Sequence, residues 1–360
     1  MKIACYFGGR SRLGGAERRL SRIFNEMAQK GVEVQLIFRL YEPMEAVEEA
    51  YRDVIGQPFC LKLIGRSSGR EIFSYLRKEK FDYAFYTDPY RAMLPFFFGA
   101  KLSGSKTVLL QVTTTAAEQK FESLLSKKEF ELVARLSNQI DCLYPCAVGM
   151  IQKQYPKQKV TVTPCPFTNL SVFSPGEKQK IIAFVGRWEY MKNVELFVKS
   201  MLSIQDQLWR MGYHVMLCGN GKAQIEQNVR ELVKSSNYPQ LFELPGYEKS
   251  QDVLPSAEIF VSLQLYNNYP SQSLLEAIAC GCCVVASDQG DTYRLVKEPF
   301  GLLCSFEEKN ISEGVLRFAQ MSDEDKKKAK EAARSFAEIQ FSIGNSVSHY
   351  MKMIEEEKQE

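Results

Sequence analysis

Short apolar runs alternate with stretches of helical periodicity along nearly all 360 residues of this chain, and few folds accept that alternation. Most of the runs are too short for a helix and too continuously apolar for a strand with one wet face, so they read as strands buried on both sides. Such strands pair in parallel and are joined by helices that cover both faces of the sheet. The runs fall at 2–7, 33–39, 83–87, 107–112, 142–144 and 160–163, and again at 181–185, 214–218, 242–244, 259–262 and 282–286. Between the first two, residues 16–30 (AERRLSRIFNEMAQK) form an amphipathic helical pattern that stops at Gly31. The stretch PCPFTNLSVFSPGEKQ, from residue 164, interrupts the periodicity with three prolines and predicts a hinge. Domains at 1–170 and 171–335 follow, with a terminal helical segment at 336–360, and 45% hydrophobic residues suffices for two cores.

Residues 267–285 (NNYPSQSLLEAIACGCCVV) hold the densest chemistry. Asn267, Asn268 and Pro270 break regular structure, Ser271 stands where an N-cap closes on free N–H groups, and a helix opens at Gln272. Those N–H groups, at the positive end of the helix dipole, suit a phosphate. Glu276 lies a little over a turn inside, within reach of a ligand docked there. About eighty residues earlier, IIAFVGRWEYMKN (181–193) supplies the opposite charge. A strand run ends in a turn at Gly186, and Arg187 and Lys192 follow, a fork and a point charge that suit a diphosphate. Taken singly, the first segment reads equally as a helix packed on a sheet, and the second as a turn with a surface charge.

With these residues in view, the chain resembles retaining glycosyltransferases of the GT-B fold, the family called group 1 or GT4. The resemblance is carried by Gly14-Gly15-Ala16-Glu17-Arg18, by 164–175 (PCPFTNLSVFSP), by Gly186-Arg187 with Lys192-Asn193, by Gly219-Asn220-Gly221, by Pro245-Gly246-Tyr247 and by 271–285. It implies an α/β protein of two Rossmann-like, doubly wound domains facing a cleft, with the acceptor side first, the donor side second and the last helix returning to the first domain. It also implies roles. Arg187 and Lys192 hold the diphosphate of a UDP- or GDP-sugar, and backbone after Pro270, at Ser271, Gln272 and Ser273, completes the cradle. Glu276 takes the ribose hydroxyls, Gly246 and Tyr247 present backbone to the base, and Gly14 and Gly15 face the diphosphate and the sugar from the other domain. The acceptor is then a glycan or a lipid-linked glycan, the setting cell-surface polysaccharide biosynthesis, and no cofactor or metal is needed.

Two departures from that family pattern stand out. Asn268 lies eight residues before Glu276, where most relatives carry a glutamate, so it can meet sugar hydroxyls but cannot carry charge. Relatives commonly place a histidine beside the transferring sugar at the end of a first-domain strand, here within 109–115 (LLQVTTT). The only histidines are His214 and His349, which leaves Gln111, Thr113 or Thr114 to supply the contact. Two alternatives follow: a catalytically silent relative that binds nucleotide sugar or glycan as a partner subunit, or a nucleotide-sugar epimerase, which needs acid and base groups that the sequence does not place.

The remaining features bound the class. The first loop, 8–15, is not a G-x-G-x-x-G, which argues against a dinucleotide site, and Arg10 and Arg12 in it are candidates for an acceptor phosphate. Residues 1–175 carry 25 Lys+Arg against 17 Asp+Glu, whereas the whole chain is only +3, so the first half is the one to meet something anionic, and nothing points to nucleic acid. The run from Pro95 to Lys101 reads either as core or as a contact with the inner membrane face. No stretch of about eighteen apolar residues and no charged-then-apolar leader is evident, which predicts a cytoplasmic protein. Cys5, Cys60, Cys142 and Cys218 sit in apolar runs and read as buried thiols, and the C-x-x-C of Cys280 and Cys283 has no partner pair at metal-site spacing. Asp323 and Asp325 after Ser322 read as a helix cap rather than a metal ligand pair.

Overall fold

The computed structural model describes residues 1–7, 13–87, 93–114, 116–164 and 166–355. They form two units, 1–165 with 344–360, and 166–343. In the first, β1 (Lys2–Tyr6), α1 (Gly15–Gln29), β2 (Glu33–Arg39), α2 (Met44–Ile55), β3 (Lys62–Arg66), α3 (Gly69–Glu79) and β4 (Tyr83–Tyr86) are followed by α4 (Leu94–Leu102), β5 (Lys106–Gln111), α5 (Leu124–Leu136), β6 (Gln139–Cys142), α6 (Pro145–Gln154) and β7 (Lys159–Val162). The second contains β8 (Gln179–Val185), α7 (Val194–Leu202), α8 (Gln205–Met211), β9 (His214–Cys218), α9 (Ala223–Lys234), β10 (Phe242–Gly246), α10 (Ser250–Val253), β11 (Ala257–Ser262), α11 (Gln272–Ala279), β12 (Cys283–Ser287), β13 (Gly301–Cys304), α12 (Glu308–Ala319) and α13 (Asp323–Gln340). A last helix, α14 (Ile343–Glu355), completes the chain.

Both sheets are parallel throughout, as strands buried on two faces require. The first runs β3-β2-β1-β4-β5-β6-β7 and the second β10-β9-β8-β11-β12-β13. Each therefore reverses winding direction beside its first strand, between β1 and β4 and between β8 and β11. Loops leaving the carboxyl ends of strands at such a reversal open a crevice where ligands settle. The central strands are fully apolar and hidden: Ile3, Ala4 and Cys5 on β1, and Ile182 and Ala183 on β8, have no exposed surface. Residues 8–12, with Arg10 and Arg12, and residues 88–92 lie outside the described residues.

Three strand assignments needed correction. β3 and β13 are edge strands that were not expected: β3 is half-exposed and begins and ends on a cation, Lys62 and Arg66, whereas β13 is a short apolar run of 4 residues that the sequence reading passed over. The expected strand at 142–144 lies instead at Gln139–Cys142, because a polar stretch is buried there. Gln139 Nε2 donates to Thr161 Oγ1 at 2.9 Å, and Asp141 accepts from Thr161, Thr163 and His349. Tyr350 reaches the same cluster, 3.1 Å from Thr163 Oγ1, and its ring packs on Phe24 and Phe85. In this way α14 is fixed to the first unit.

The phenylalanine run of α4 is spent on the core: Phe96 and Phe97 are completely buried, which removes their side chains as membrane contacts. Cys60 is exposed rather than buried, in the loop before β3, where its N–H donates to Asn25 Oδ1 at 2.7 Å. Cys280 ends α11 and Cys283 begins β12, and burial pushes both thiols up to about 12, far from a reactive thiolate. Ser322 caps α13 by accepting from the Asp325 N–H at 3.1 Å, with Asp323 and Asp325 in the first turn. Ala329, Ala333 and Ala337 form the buried stripe of α13, small enough for close approach to α11.

Candidate functional site

The winding reversal of the second unit brings the two chemically marked segments together. The chain leaves β8 at Gly186, passes Arg187 and forms a short 3-10 turn over Tyr190–Lys192. On the neighbouring strand it leaves β11 at Ser262 and runs through Gln264 and Asn268 to α11. Leu265 N–H donates to Met191 O at 3.0 Å and zips the two loops. Lys192 Nζ donates to Gln264 Oε1 at 2.8 Å, and Asn268 Nδ2 donates to the same oxygen at 3.3 Å. Gln264 is nearly buried, and its own amide nitrogen rests 3.4 Å from Ser262 Oγ, which orients the acceptor oxygen toward Lys192 and Asn268.

The two cations differ in state. Arg187 is 73% exposed and its Nη1 lies 3.0 Å from Glu189 Oε1, a parked guanidinium free to turn to a ligand. Burial, and next the Arg187 charge, pull the Lys192 ammonium down to about 8, with Glu189 acting in the opposite sense. An ammonium depressed in this way gains from any negative charge brought beside it.

The path of the Arg187 loop is set by its neighbour. Gly186 N–H donates to Cys218 O at 3.0 Å and Trp188 N–H to Asn220 O at 2.8 Å, so the exits of β8 and β9 run side by side. The contact needs glycine: Gly219 has φ +138°, and a Cβ there would meet Gly186 O at 1.8 Å. At Gly221 a Cβ would meet Trp188 O at 2.3 Å. Gly221 N–H in turn donates to Glu226 Oε1 at 2.9 Å. Trp188 is buried between these loops with its Nε1 lacking a partner among the described residues. One strand further out, Gly246 O accepts from Gly219 N–H at 2.7 Å, and Tyr247 stands 73% exposed beyond it.

Ser271 occupies the N-cap position of α11, but its hydroxyl does not close the cap. Ser68, Ser123 and Ser322, which do close theirs, have ψ between 155° and 159°, whereas Ser271 has ψ 120°. The expected side-chain cap is therefore corrected to an open helix start, with Pro270 buried before it, and the first turn's N–H groups at Gln272, Ser273 and Leu274 face no intrahelical acceptor. An open start of this kind receives an anion better than a capped one. Glu276 accepts from Gln272 Nε2 at 3.2 Å, and the same nitrogen lies 3.4 Å from Thr168 Oγ1.

Arg187, Lys192, Asn268, Gly186 and the α11 start thus gather at one end of one sheet, with Glu276 a turn into the helix and Gly246 and Tyr247 two strands away. Gly14 and Gly15 belong to the first unit, where Gly14 precedes α1 without a side-chain cap and Glu17 Oε2 lies 2.6 Å from where its Cβ would be. Gln111 ends β5, with Nε2 donating to Thr113 O at 2.8 Å and Oε1 buried without a partner among the described residues. Of the two histidines, His214 starts β9, 3.5 Å from Glu243, at the strand end opposite Gly219, and in the first unit His349 is held by Asp141. Sequence reading passed over Gln264, Glu189 and Trp188. Gln264 had one signal, a lone amide two residues past a buried strand, and its partner could not be named without the sheet order.

Residues 169–336 match the family model described as glycosyl transferases group 1. The N-acetylgalactosamine-N,N'-diacetylbacillosaminyl-diphospho-undecaprenol 4-alpha-N-acetylgalactosaminyltransferase of Campylobacter jejuni is 23% identical over 262 residues, 67% of this chain and 69% of that protein. Among solved structures, Anabaena HepE in complex with UDP superposes with a TM-score of 0.78 at 12% identity, covering 98% of this chain and 99% of that one. Sucrose-phosphate synthase from Thermosynechococcus elongatus gives 0.70 at 16%, covering 98% of both. At those identities the structural likeness establishes the two-domain GT-B architecture.

Proposed function

We propose that this chain, whose residues 169–336 match the family model described as glycosyl transferases group 1, is a glycosyltransferase that transfers a sugar from a UDP- or GDP-sugar to a lipid-linked glycan, retaining the anomeric configuration and using no metal. The observation that carries the reading is the half-buried Lys192 ammonium held on Gln264 at the winding reversal, beside Asn268 and the uncapped start of α11. HepE structures containing UDP and UDP-glucose favour a uridine donor, and the Campylobacter relative's undecaprenol-linked substrate favours a lipid-linked acceptor in surface polysaccharide assembly.

In this reading Arg187 turns from Glu189 to grip the diphosphate, and Lys192 stays on the oxygens that gain charge as the sugar departs. Backbone N–H groups at Gln272 and Ser273 complete the cradle, Glu276 holds the ribose, and backbone around Gly246 and Tyr247 meets the base. Asn268 orients sugar hydroxyls. The bond from the anomeric carbon to the diphosphate breaks, and a bond to the acceptor oxygen forms on the same face, with the acceptor proton passing to the departing diphosphate. The family resemblance alone is the basis for assigning Gly14, Gly15 and Gln111 to the sugar and the diphosphate. The work belongs on the cytoplasmic side of the membrane, where nucleotide sugars are supplied.

One observation favours a second reading. Asn268 is neutral and already hydrogen-bonded to Gln264, so a silent partner subunit that binds nucleotide sugar is the alternative. An epimerase is not favoured, since His214 stands at the far end of β9 beside Glu243 and His349 is engaged by Asp141. A thermal-shift screen of nucleotide sugars, followed by transfer assays on undecaprenol-linked acceptors with and without EDTA, tests these readings. Stabilisation by a UDP-sugar with EDTA-insensitive transfer is expected. Binding with no turnover on any acceptor selects the silent subunit.

A further inference from the structure

α5 buries Phe130, Val133 and Ala134 and leaves its opposite face uncovered. On that face Leu124, Leu125, Leu132 and Leu136 stand 41% to 78% exposed, and Leu102, at the end of α4, is 60% exposed. These are five of the six large exposed leucines among the described residues, so the cluster is not the ordinary scatter of single surface apolar groups. The end of α4 belongs to the same patch, because Lys101 Nζ donates to Asn138 Oδ1 at 3.0 Å, just past the last turn of α5. Helical spacing sets exposed Lys128 and Arg135 among the leucines, and moves half-buried Glu129 and Glu131 to the two edges.

We propose that this face of α5, with the end of α4, lies on a membrane surface that carries anionic lipid. The face is a single convex helix rather than a groove, and it interleaves apolar side chains with cations. Laid in the plane of a bilayer, the leucines enter the acyl boundary while Lys128, Arg135 and Lys101 remain among the head groups. The occupant is chosen by charge: acidic side chains sit only at the margins, and residues 1–175 as a whole carry 25 basic against 17 acidic side chains, so negative lipid is favoured over neutral. The phenylalanine run, which the sequence allowed as either core or membrane contact, is core, and the next helix offers leucines that the core does not consume. The inference deepens the reading of the acceptor as lipid-linked and rests on it for its purpose, since it brings the acceptor-binding unit to the surface where such a lipid resides.

The full chain is sedimented with vesicles of phosphatidylcholine alone or mixed with phosphatidylglycerol. Binding to the mixed vesicles, little binding to the neutral ones, and loss of binding in high salt are expected. Leu125→Ser/Leu132→Ser/Leu136→Ser and Lys128→Glu/Arg135→Glu should each weaken partitioning by about tenfold or more. All five positions are exposed, and unchanged melting of each variant confirms the fold. Thermal shift with UDP-sugars in the absence of vesicles reads the donor site separately: variants that keep the shift but lose the vesicles support the surface. A wild-type chain that ignores anionic vesicles, or variants that bind them equally well, overturns the proposal, and so does a leucine variant that loses self-association when no vesicle binding was present. Absence of any nucleotide shift, with vesicle binding intact, instead sinks the sugar-transfer reading.

Discussion

Lys192 should make donor binding depend on pH. Its ammonium sits at about 8 in the free protein, because burial and Arg187 disfavour the charge. A bound diphosphate returns that charge to favour, and the pKa rises to the ordinary lysine range of about 10.4 or above. Protonated lysine is thus needed for the tight complex, and it is lost from the free protein as pH passes 8. Linkage makes the affinity fall by about tenfold from pH 7 to pH 9, with about half a proton taken up per ligand at pH 8. For the protein alone the sign is reversed: the unfolded chain keeps the proton to higher pH, so this group's contribution to stability improves as pH rises from 8 toward 10.5. Calorimetry of UDP binding in two buffers of different ionisation enthalpy measures both the affinity and the proton count. Lys192→Arg keeps its charge throughout and should flatten the profile. An affinity that is level from pH 7 to 9 in the wild-type protein, or an unchanged slope in Lys192→Arg, refutes the reasoning.

Arg187→Ala and Lys192→Ala should each raise the transfer barrier by roughly 2–4 kcal/mol, the scale of one preorganised electrostatic contact, measured as kcat/KM at saturating acceptor. Gln264→Leu removes the acceptor that holds the Lys192 ammonium and should cost about 1.5–3 kcal/mol in donor binding at pH 7, with melting changed far less than binding. Gly219→Ala places a methyl against Gly186 O at positive φ and should lower stability by about 1–3 kcal/mol, with a loss of UDP binding that Gly212→Ala, at a helix end away from the site, does not share.

The parallel architecture was readable because the central strands are apolar on both faces, as 181–185 and 33–39 illustrate. Its errors fall where another force sets the strand. Edge strands β3 and β13 are wetted on one side, and β6 carries Gln139 and Asp141 into the core because Thr161, Thr163 and His349 satisfy them across long sequence gaps. The same limit governs the site. Arg187, Lys192 and the start of α11 announce themselves by charge next to turn residues. Gln264 is silent, since an amide gains meaning only from the ammonium that strand order sets beside it. The Ser271 cap misled for a backbone reason: residue type suits an N-cap, but ψ of 120° turns the hydroxyl away from the N–H groups it would satisfy.

Asn268 illustrates how a departure from the family pattern can be compatible with a working site. Its amide and the Lys192 ammonium meet on one oxygen of Gln264, so a carboxylate at 268 would stand within about 6 Å of the lysine and pair with it. That pair would raise the lysine pKa and satisfy part of its charge before any donor arrived. With asparagine, the one hydrogen-bond acceptor of Lys192 Nζ among the described residues is a neutral amide oxygen, and its remaining attraction is available to a diphosphate. The cost of the arrangement is the depressed pKa of the free ammonium; its consequence is that more of the charge interaction is made with the ligand rather than within the protein. The asparagine, the amide that receives two donors and the titrating lysine are one electrostatic unit, and the pH slope of donor binding reports on all three.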